Sequence, residues 1–120
     1  MPGSNRMTCD FTGKPRTQTY ADALVEFTEG LGPVTTERKS QLSFGIKRKF
    51  LWLWTYEKTA DGILDLSVTL DREIDDEHFR SVTQVAKNRW NHHVVVHSRA
   101  EATSGWLHDL IRNGYEFGQG

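Results

Sequence analysis

The chain has 120 residues, the usual size of one domain and enough to bury a core without disulfides or a structural metal. Apolar residues make up 37% of it and charged residues 26%, and four Trp, three Tyr and six Phe supply large surfaces for burial, so a globular fold is favoured over disorder. Fifteen Lys and Arg against sixteen Asp and Glu leave a net charge of -1, which excludes a strong overall attraction to phosphate backbones or anionic lipid.

The sequence contains no targeting or membrane-spanning segment that we recognise. The longest apolar stretch, residues 50–54, is far shorter than the roughly 20 residues of a membrane helix, and residues 1–14 lack the apolar run of a secretory signal. Cys9 is the only cysteine, so no disulfide can form within the chain, as is usual in a reducing compartment. We therefore expect a cytoplasmic protein without membrane partners, with a flexible N-terminal segment at residues 1–16 and a single domain at residues 17–117.

Apolar side chains at helical spacing predict a first helix. Thr19 is its predicted N-cap, and Gly30, Gly32 and Pro33 form a stop signal. The residues of the apolar stripe are Tyr20, Ala23, Leu24, Phe27 and Leu31.

After this helix the apolar pattern changes to a period of two, which predicts β-strands. The second of these strands is apolar in both of its alternating sets and therefore requires cover on both faces. One set is Phe50, Trp52, Trp54 and Tyr56, and the other is Leu51 and Leu53. The four predicted strands are residues 42–47, 50–56, 64–70 and 92–97, with a hairpin connection at 58–62.

Two more helices are predicted in the second half of the chain. The acidic residues 71–77 suit the first turn of a short helix that carries Phe79, Val82 and Val85. Residues 98–101 have the form of a capping box and predict a last helix that starts at the second of them. The apolar stripe of that helix is Trp106, Leu107, Leu110, Ile111 and Tyr115, with Gly114 as its stop signal.

The order of these elements differs from the alternation of a parallel βαβ fold. It predicts an α+β fold with an antiparallel sheet of about four strands. An N-terminal helix, a short helix before the last strand and a C-terminal helix are expected to cover one face of this sheet.

The sequence lacks a recognisable catalytic or metal-binding set. His93 and His97 share one face of a strand, but four residues of strand separate them by roughly 13 Å, which is too far for one ion. Cys9 and the serines lack the surroundings of an activated nucleophile. We therefore predict no catalytic residues, no metal and no cofactor, and we favour a non-catalytic protein over an enzyme.

Cations stand next to aromatic residues in two places: Arg48 and Lys49 precede the aromatic strand, and Lys87 and Arg89 precede Trp90. Single-strand nucleic-acid binders use this mixture, with cations for the backbone and rings for the bases. Five cations and one anion occur in residues 36–49, beside the aromatic strand, while residues 71–77 hold five anions and one cation. A solvated surface and an aromatic core produce the same patterns. The candidate binding residues are Arg48, Lys49, Trp52, Trp54, Trp90, His92 and His93.

Three functions follow from these patterns. The leading hypothesis is a binding module, with nucleic acid as one partner. The second is a homodimer whose interface covers Trp52 and Trp54, because two exposed tryptophans would form an unusually large apolar patch. The third is a small-molecule or catalytic pocket between the sheet and the last helix that uses His92, His93 or His97.

Four segments of the sequence, within residues 20–116, together resemble a bacterial family of small domains of unknown function, the 5655 type. The resemblance extends more loosely to the MmcQ/YjbR-like proteins. It implies a helix-and-sheet fold like that of the MmcQ/YjbR-like proteins, for which DNA binding has been suggested. It implies no catalytic residue. The segments are Leu31-Gly32-Pro33-Val34, Leu42-Ser43-Phe44 with the basic residues after it, Trp90-Asn91-His92-His93-Val94-Val95-Val96, and the ending from Trp106-Leu107 to Gly114-Tyr115-Glu116.

Overall fold

Alternating apolar residues form the middle of a seven-stranded antiparallel sheet in the computed structural model, which describes residues 5–120. The strand order is β2-β3-β4-β5-β7-β6, and β1 pairs with the C-terminal end of β4. The predicted α+β class and antiparallel sheet are confirmed, but the predicted number of about four strands is wrong. The strands are β1 (Met7–Thr8), β2 (Thr35–Arg38), β3 (Leu42–Gly45), β4 (Lys49–Tyr56), β5 (Leu64–Leu70), β6 (Ser81–Ala86) and β7 (Arg89–Val96).

The three helices of the described residues are α1 (Pro15–Gly30), α2 (Arg99–Ala102) and α3 (Gly105–Gly118). The predicted short helix between the third and fourth predicted strands is wrong, because Ser81–Ala86 form the edge strand β6 instead. Val82 and Val85 mimic helical spacing since the register of β6 shifts between Gln84 and Ala86, which inserts one residue into the strand. No helix in residues 5–120 is both long and apolar enough to cross a membrane.

A residue far along the chain fixes the start of α1. The helix begins at Pro15, four residues before the predicted cap Thr19. The Asp61 carboxylate accepts hydrogen bonds from the backbone N–H groups of Arg16 (2.9 Å) and Thr17 (3.0 Å), which are unpaired within any helix. The group that caps α1 therefore comes from the β4–β5 connection. The sequence around α1 itself does not indicate this cap.

The predicted last helix is divided in two. The Ser98 hydroxyl accepts from the Glu101 N–H at 3.1 Å, as the capping box predicts, but the helix ends after one turn. The Ser104 hydroxyl then caps α3 by accepting from the Leu107 N–H at 3.3 Å. Gly114 does not stop this helix, which continues to Gly118.

The core lies between α1 and α3 and one face of the sheet, here called the helix face. Phe50 packs on this face and not beside Trp52 as the alternation predicts, because the register between β3 and β4 shifts next to Gly45. A Cβ atom at Gly114 would lie 2.7 Å from Val68 Cγ1 and 3.2 Å from Phe50 Cδ2, so both residues contact the same turn of α3. Trp52 and Trp54 then lie on the opposite face of the sheet, here called the open face.

The N-terminal residues of the described part pack against the domain. Phe11 belongs to the core, and the buried Cys9 donates its Sγ–H to the Lys39 carbonyl at 3.1 Å. Arg38 of β2 donates to the Cys9 carbonyl at 2.9 Å. The predicted flexibility of residues 1–16 stays a prediction, and its first four positions lie outside the described residues.

Candidate functional site

The two tryptophans of β4 lie on the open face among side chains of the neighbouring strands. Trp52 lies opposite Ser43 on β3 and Ser67 on β5, two short side chains that are both buried. Trp54 lies opposite Asp65 and stacks on the His93 ring, with 5.2 Å between ring centroids. As a result, Trp54 is only 7% exposed and Trp52 is partly buried within a single chain.

This arrangement bears on the homodimer hypothesis. The hypothesis rests on two tryptophans in water, whereas Trp54 is covered by its own chain. Among residues 5–120, the one large hydrophobic side chain that is exposed is Val85, at 53%. A dimer stays a prediction, but the apolar patch that motivates it is much smaller than the sequence suggests.

Two hairpins gather cations at one end of the sheet. The β3–β4 hairpin carries Lys47, Arg48 and Lys49, and the β6–β7 hairpin carries Lys87 and Arg89. The guanidinium carbons of Arg48 and Arg89 lie 3.7 Å and 6.0 Å from the centroid of the Phe117 ring, which shows how close the hairpins are. We call this region the basic end.

A shallow groove of about 370 Å³ opens beside the basic end, on the open face. Trp52 lines this groove together with two cations from different strands, Lys49 of β4 and Arg89 of β7. Thr69 donates a hydrogen bond to the Asn91 side-chain carbonyl, which leaves the Asn91 amide N–H groups without a protein partner in the described chain. The lining residues are Lys49, Trp52, Thr69, Val85, Arg89 and Asn91, called the open-face groove below.

The two cations of the groove differ in how far they are neutralised. The Lys49 ammonium lies 2.8 Å from a Glu37 carboxylate oxygen, which also accepts Lys39 at 3.4 Å. The hydrogen bond from Lys49, followed by that from Lys39, lowers the pKa of Glu37. Arg89 forms no ion pair with any described residue and is therefore the freer charge for a ligand.

A second polar cluster occupies the centre of the open face. His93 Nε2 and Asp65 Oδ1 lie 2.8 Å apart, and the Trp54 ring stacks on the imidazole. The Trp54 Nε1–H is buried without a hydrogen-bond partner within residues 5–120. Because His93 is oriented by a carboxylate and still partly exposed, it can offer its other ring nitrogen to a ligand on this face.

Three of the predicted site residues lie elsewhere. Arg48 donates through Nε to the Phe117 carbonyl at 2.6 Å and stacks on that ring, so it holds the end of α3. Trp90 lies opposite Leu70 on the helix face. His92 is fully buried on the helix face, with both ring nitrogens bonded to backbone groups. The structure therefore brings together Lys49, Trp52, Trp54 and His93 on one face and separates Arg48, Trp90 and His92 from them.

Sequence reasoning missed Thr69, Val85 and Asn91, and it placed Arg89 beside Trp90 without including it among the candidate binding residues. Val85, Arg89 and Asn91 belong to a hairpin whose first strand was predicted as a helix. The signal that could have identified the hairpin is Asn88, which adopts a φ of 60° in the turn, a conformation that asparagine tolerates better than most residues.

The fold and the groove define a small α+β domain with one helix-covered sheet face and one open, polar and aromatic face. The chain belongs to the family described as "Domain of unknown function (DUF5655)", whose model matches residues 7–118. No curated protein and no solved structure matches the chain.

Proposed function

We propose that this domain is a non-catalytic binding module that holds single-stranded nucleic acid in the open-face groove. The observation that carries the proposal is that an aromatic ring, Trp52, lines the same groove as two cations, Lys49 and Arg89. A base stacks on an aromatic ring, while neighbouring cations neutralise the phosphates on either side. Polar Thr69 and Asn91 supply hydrogen-bonding groups for a base edge.

The geometry favours a single strand over a duplex. Bases within a duplex are stacked on one another and cannot reach a partly buried ring, whereas unpaired bases can be splayed onto a sheet surface. The groove is also shallow and lies on a face without a projecting helix that could enter a major groove.

The charge distribution supports weak, salt-sensitive binding. The net charge of -1 provides no general attraction, so the attraction must come from the basic end. Glu37 partly neutralises Lys49, which leaves few phosphate contacts. The looser resemblance to the MmcQ/YjbR-like proteins, for which DNA binding has been suggested, supports the same class of partner, and a bacterial cytoplasm is the setting we propose.

The proposal is tested by fluorescence anisotropy with labelled 12-nucleotide oligo-dT and oligo-U and with a duplex of the same length. We expect binding to the single strands at ~50 mM salt that weakens as salt rises, with a slope near 0.7 per phosphate contact. Trp52→Leu should cost about 1–3 kcal/mol of binding free energy, because it removes the stacking surface but keeps an apolar side chain.

Matched charge variants locate the binding site. Lys49→Gln and Arg89→Gln each should weaken binding several-fold and reduce the salt slope by about one phosphate contact. Arg99→Gln makes the same charge change on α2, outside the groove, and should leave the affinity unchanged. Absence of binding at ~50 mM salt, or equal losses in all three charge variants, would contradict the proposal.

A further inference from the structure

A second cavity lies at the other end of β7, on the helix side of the sheet. Its volume is about 490 Å³, and it is lined by β7, by α2 and the first turn of α3, and by the segment before β6. Val94, Val96 and Leu107 are almost completely buried and form an apolar floor. Because Arg89 and the open-face groove lie at the opposite end of β7, this cavity is separate from the proposed nucleic-acid site.

An aromatic pair forms one wall of the cavity. The His78 and Trp106 rings stack with centroids 4.1 Å apart and planes 24° from parallel. Asp76 fixes the imidazole, since its Oδ1 lies 2.6 Å from His78 Nδ1 and also accepts the His78 backbone N–H at 2.9 Å. The pair is therefore held in place by a carboxylate before any ligand arrives.

The charged groups of the lining decide which ligand fits. Glu101 is the only carboxylate among the lining residues, which include neither Lys nor Arg. The Asp76 carboxylate beside His78 adds further negative charge. The cavity is thus apolar at its floor, aromatic on one side and negative at its rim.

We infer that this cavity binds a small organic cation, such as a primary ammonium group on an apolar or aromatic body. The apolar body would occupy the floor formed by the two valines and Leu107, and the ammonium would lie against Glu101 and the Trp106 and His78 rings. A carboxylate and an aromatic face both attract a cation, and both repel an anion of the same size.

The test uses three probes of matched size and different charge: benzylammonium, benzyl alcohol and benzoate. Each is titrated into the full chain at pH 7.5 while the Trp106 indole N–H resonance is followed by NMR. We expect benzylammonium to shift this resonance with a dissociation constant on the order of 1 mM, as befits so small a ligand, and benzoate to leave it unchanged. Equal or tighter binding of benzoate would overturn the inference, as would the absence of any shift with all three probes.

Two pairs of variants locate the cation. Glu101→Gln should weaken benzylammonium binding about 10-fold, whereas Asp109→Asn makes the same charge change on the outside of α3 and should have no effect. Ala100→Phe should block the cavity, whereas Thr103→Phe places the same ring outside it.

Unfolding curves in urea verify that each variant is folded. Equal losses in Glu101→Gln and Asp109→Asn, or unchanged binding in Ala100→Phe, would contradict the assignment. Oligonucleotide binding by the same variants should be normal, which keeps this result independent of the open-face groove.

Discussion

His92 illustrates how the tertiary structure converts a candidate binding residue into a structural one. Its ring is fully buried, its Nε2 accepts the Ile74 N–H at 3.1 Å, and its Nδ1 lies 3.2 Å from the Val68 carbonyl oxygen. Since one nitrogen must accept and the other must donate, the ring is neutral with its proton on Nδ1. It thereby anchors the irregular segment between β5 and β6 to the sheet.

The pH dependence of stability follows from this environment. Burial lowers the pKa of His92 from 6.5, so the unfolded chain takes up a proton at a higher pH than the folded chain does. The free energy of unfolding should therefore be constant near pH 7.5 and fall as the pH drops below about 6.5. Urea unfolding at pH 7.5 and pH 5.0 measures the difference.

The His92→Leu variant tests whether His92 causes this decrease in the free energy of unfolding at low pH. His92→Leu should lower stability at pH 7.5 by about 1–3 kcal/mol, because the Ile74 N–H and the Val68 carbonyl lose their partner. It should also lose less stability on acidification than the parent chain. His108, whose pKa is likewise lowered by burial, contributes to the remaining loss. A parent chain whose stability is the same at both pH values would contradict the neutral, buried state of His92.

At the scale of a secondary-structure element, α3 depends on two glycines for its close approach to the sheet. A Cβ at Gly114 would lie 2.7 Å from Val68 Cγ1, and one at Gly118 would lie 2.6 Å from Phe50 Cδ1 and 3.2 Å from the Arg48 carbonyl oxygen. Glycine in a helix costs about 1 kcal/mol relative to alanine, so these residues act against helix propensity. Their absence of a side chain is what allows the helix to pack on β4 and β5.

Substitution of Gly114 tests this contact. Gly114→Val should lower the free energy of unfolding by about 1–3 kcal/mol, because the added atoms require Val68 or Phe50 to move within a packed core. Gly30→Val is the matched control, since a Cβ at the end of α1 meets no atom within 4 Å. Equal stability of the Gly114→Val and parent chains in thermal and urea unfolding would show that α3 is not closely packed.

At the scale of the whole molecule, the sheet is most buried at its centre and most exposed at its edges. All seven residues of β5 are buried, and it pairs with β4 on one side and β7 on the other. The edge strands β2 and β6 consist almost entirely of exposed or partly exposed residues and pair on one side only. Opening an edge strand exposes little apolar surface, so it should require far less free energy than opening the centre.

Hydrogen exchange followed by mass spectrometry tests this gradient. Peptides that cover β5 should exchange on the order of 100-fold more slowly than peptides that cover β2 or β6. Peptides from α3 should resemble those from β5, because α3 packs directly on the central strands. Similar exchange in β5 and β6 would indicate that the sheet opens only as a unit.

The sequence by itself determined the elements whose buried faces show as a regular spacing of apolar residues within one segment. The alternation from Leu64 to Leu70 and the apolar residues of β4 specify the central strands, and the spacing of Leu107, Leu110 and Ile111 specifies α3. Such patterns can be recognised in a sequence because side chains return to the same face after a fixed number of residues in a helix or a strand.

Only the tertiary structure decided the remaining features, because they depend on residues that are distant in sequence. The edge strands β2 and β6 bury too little apolar surface to carry an alternating pattern, and a bulge made the valines of β6 resemble a helix. Asp61 caps a helix that begins 46 residues earlier, at Pro15. The groove joins Lys49, Trp52 and Arg89 through the pairing of three strands, β4, β5 and β7, and strand order and register are properties that no single segment encodes.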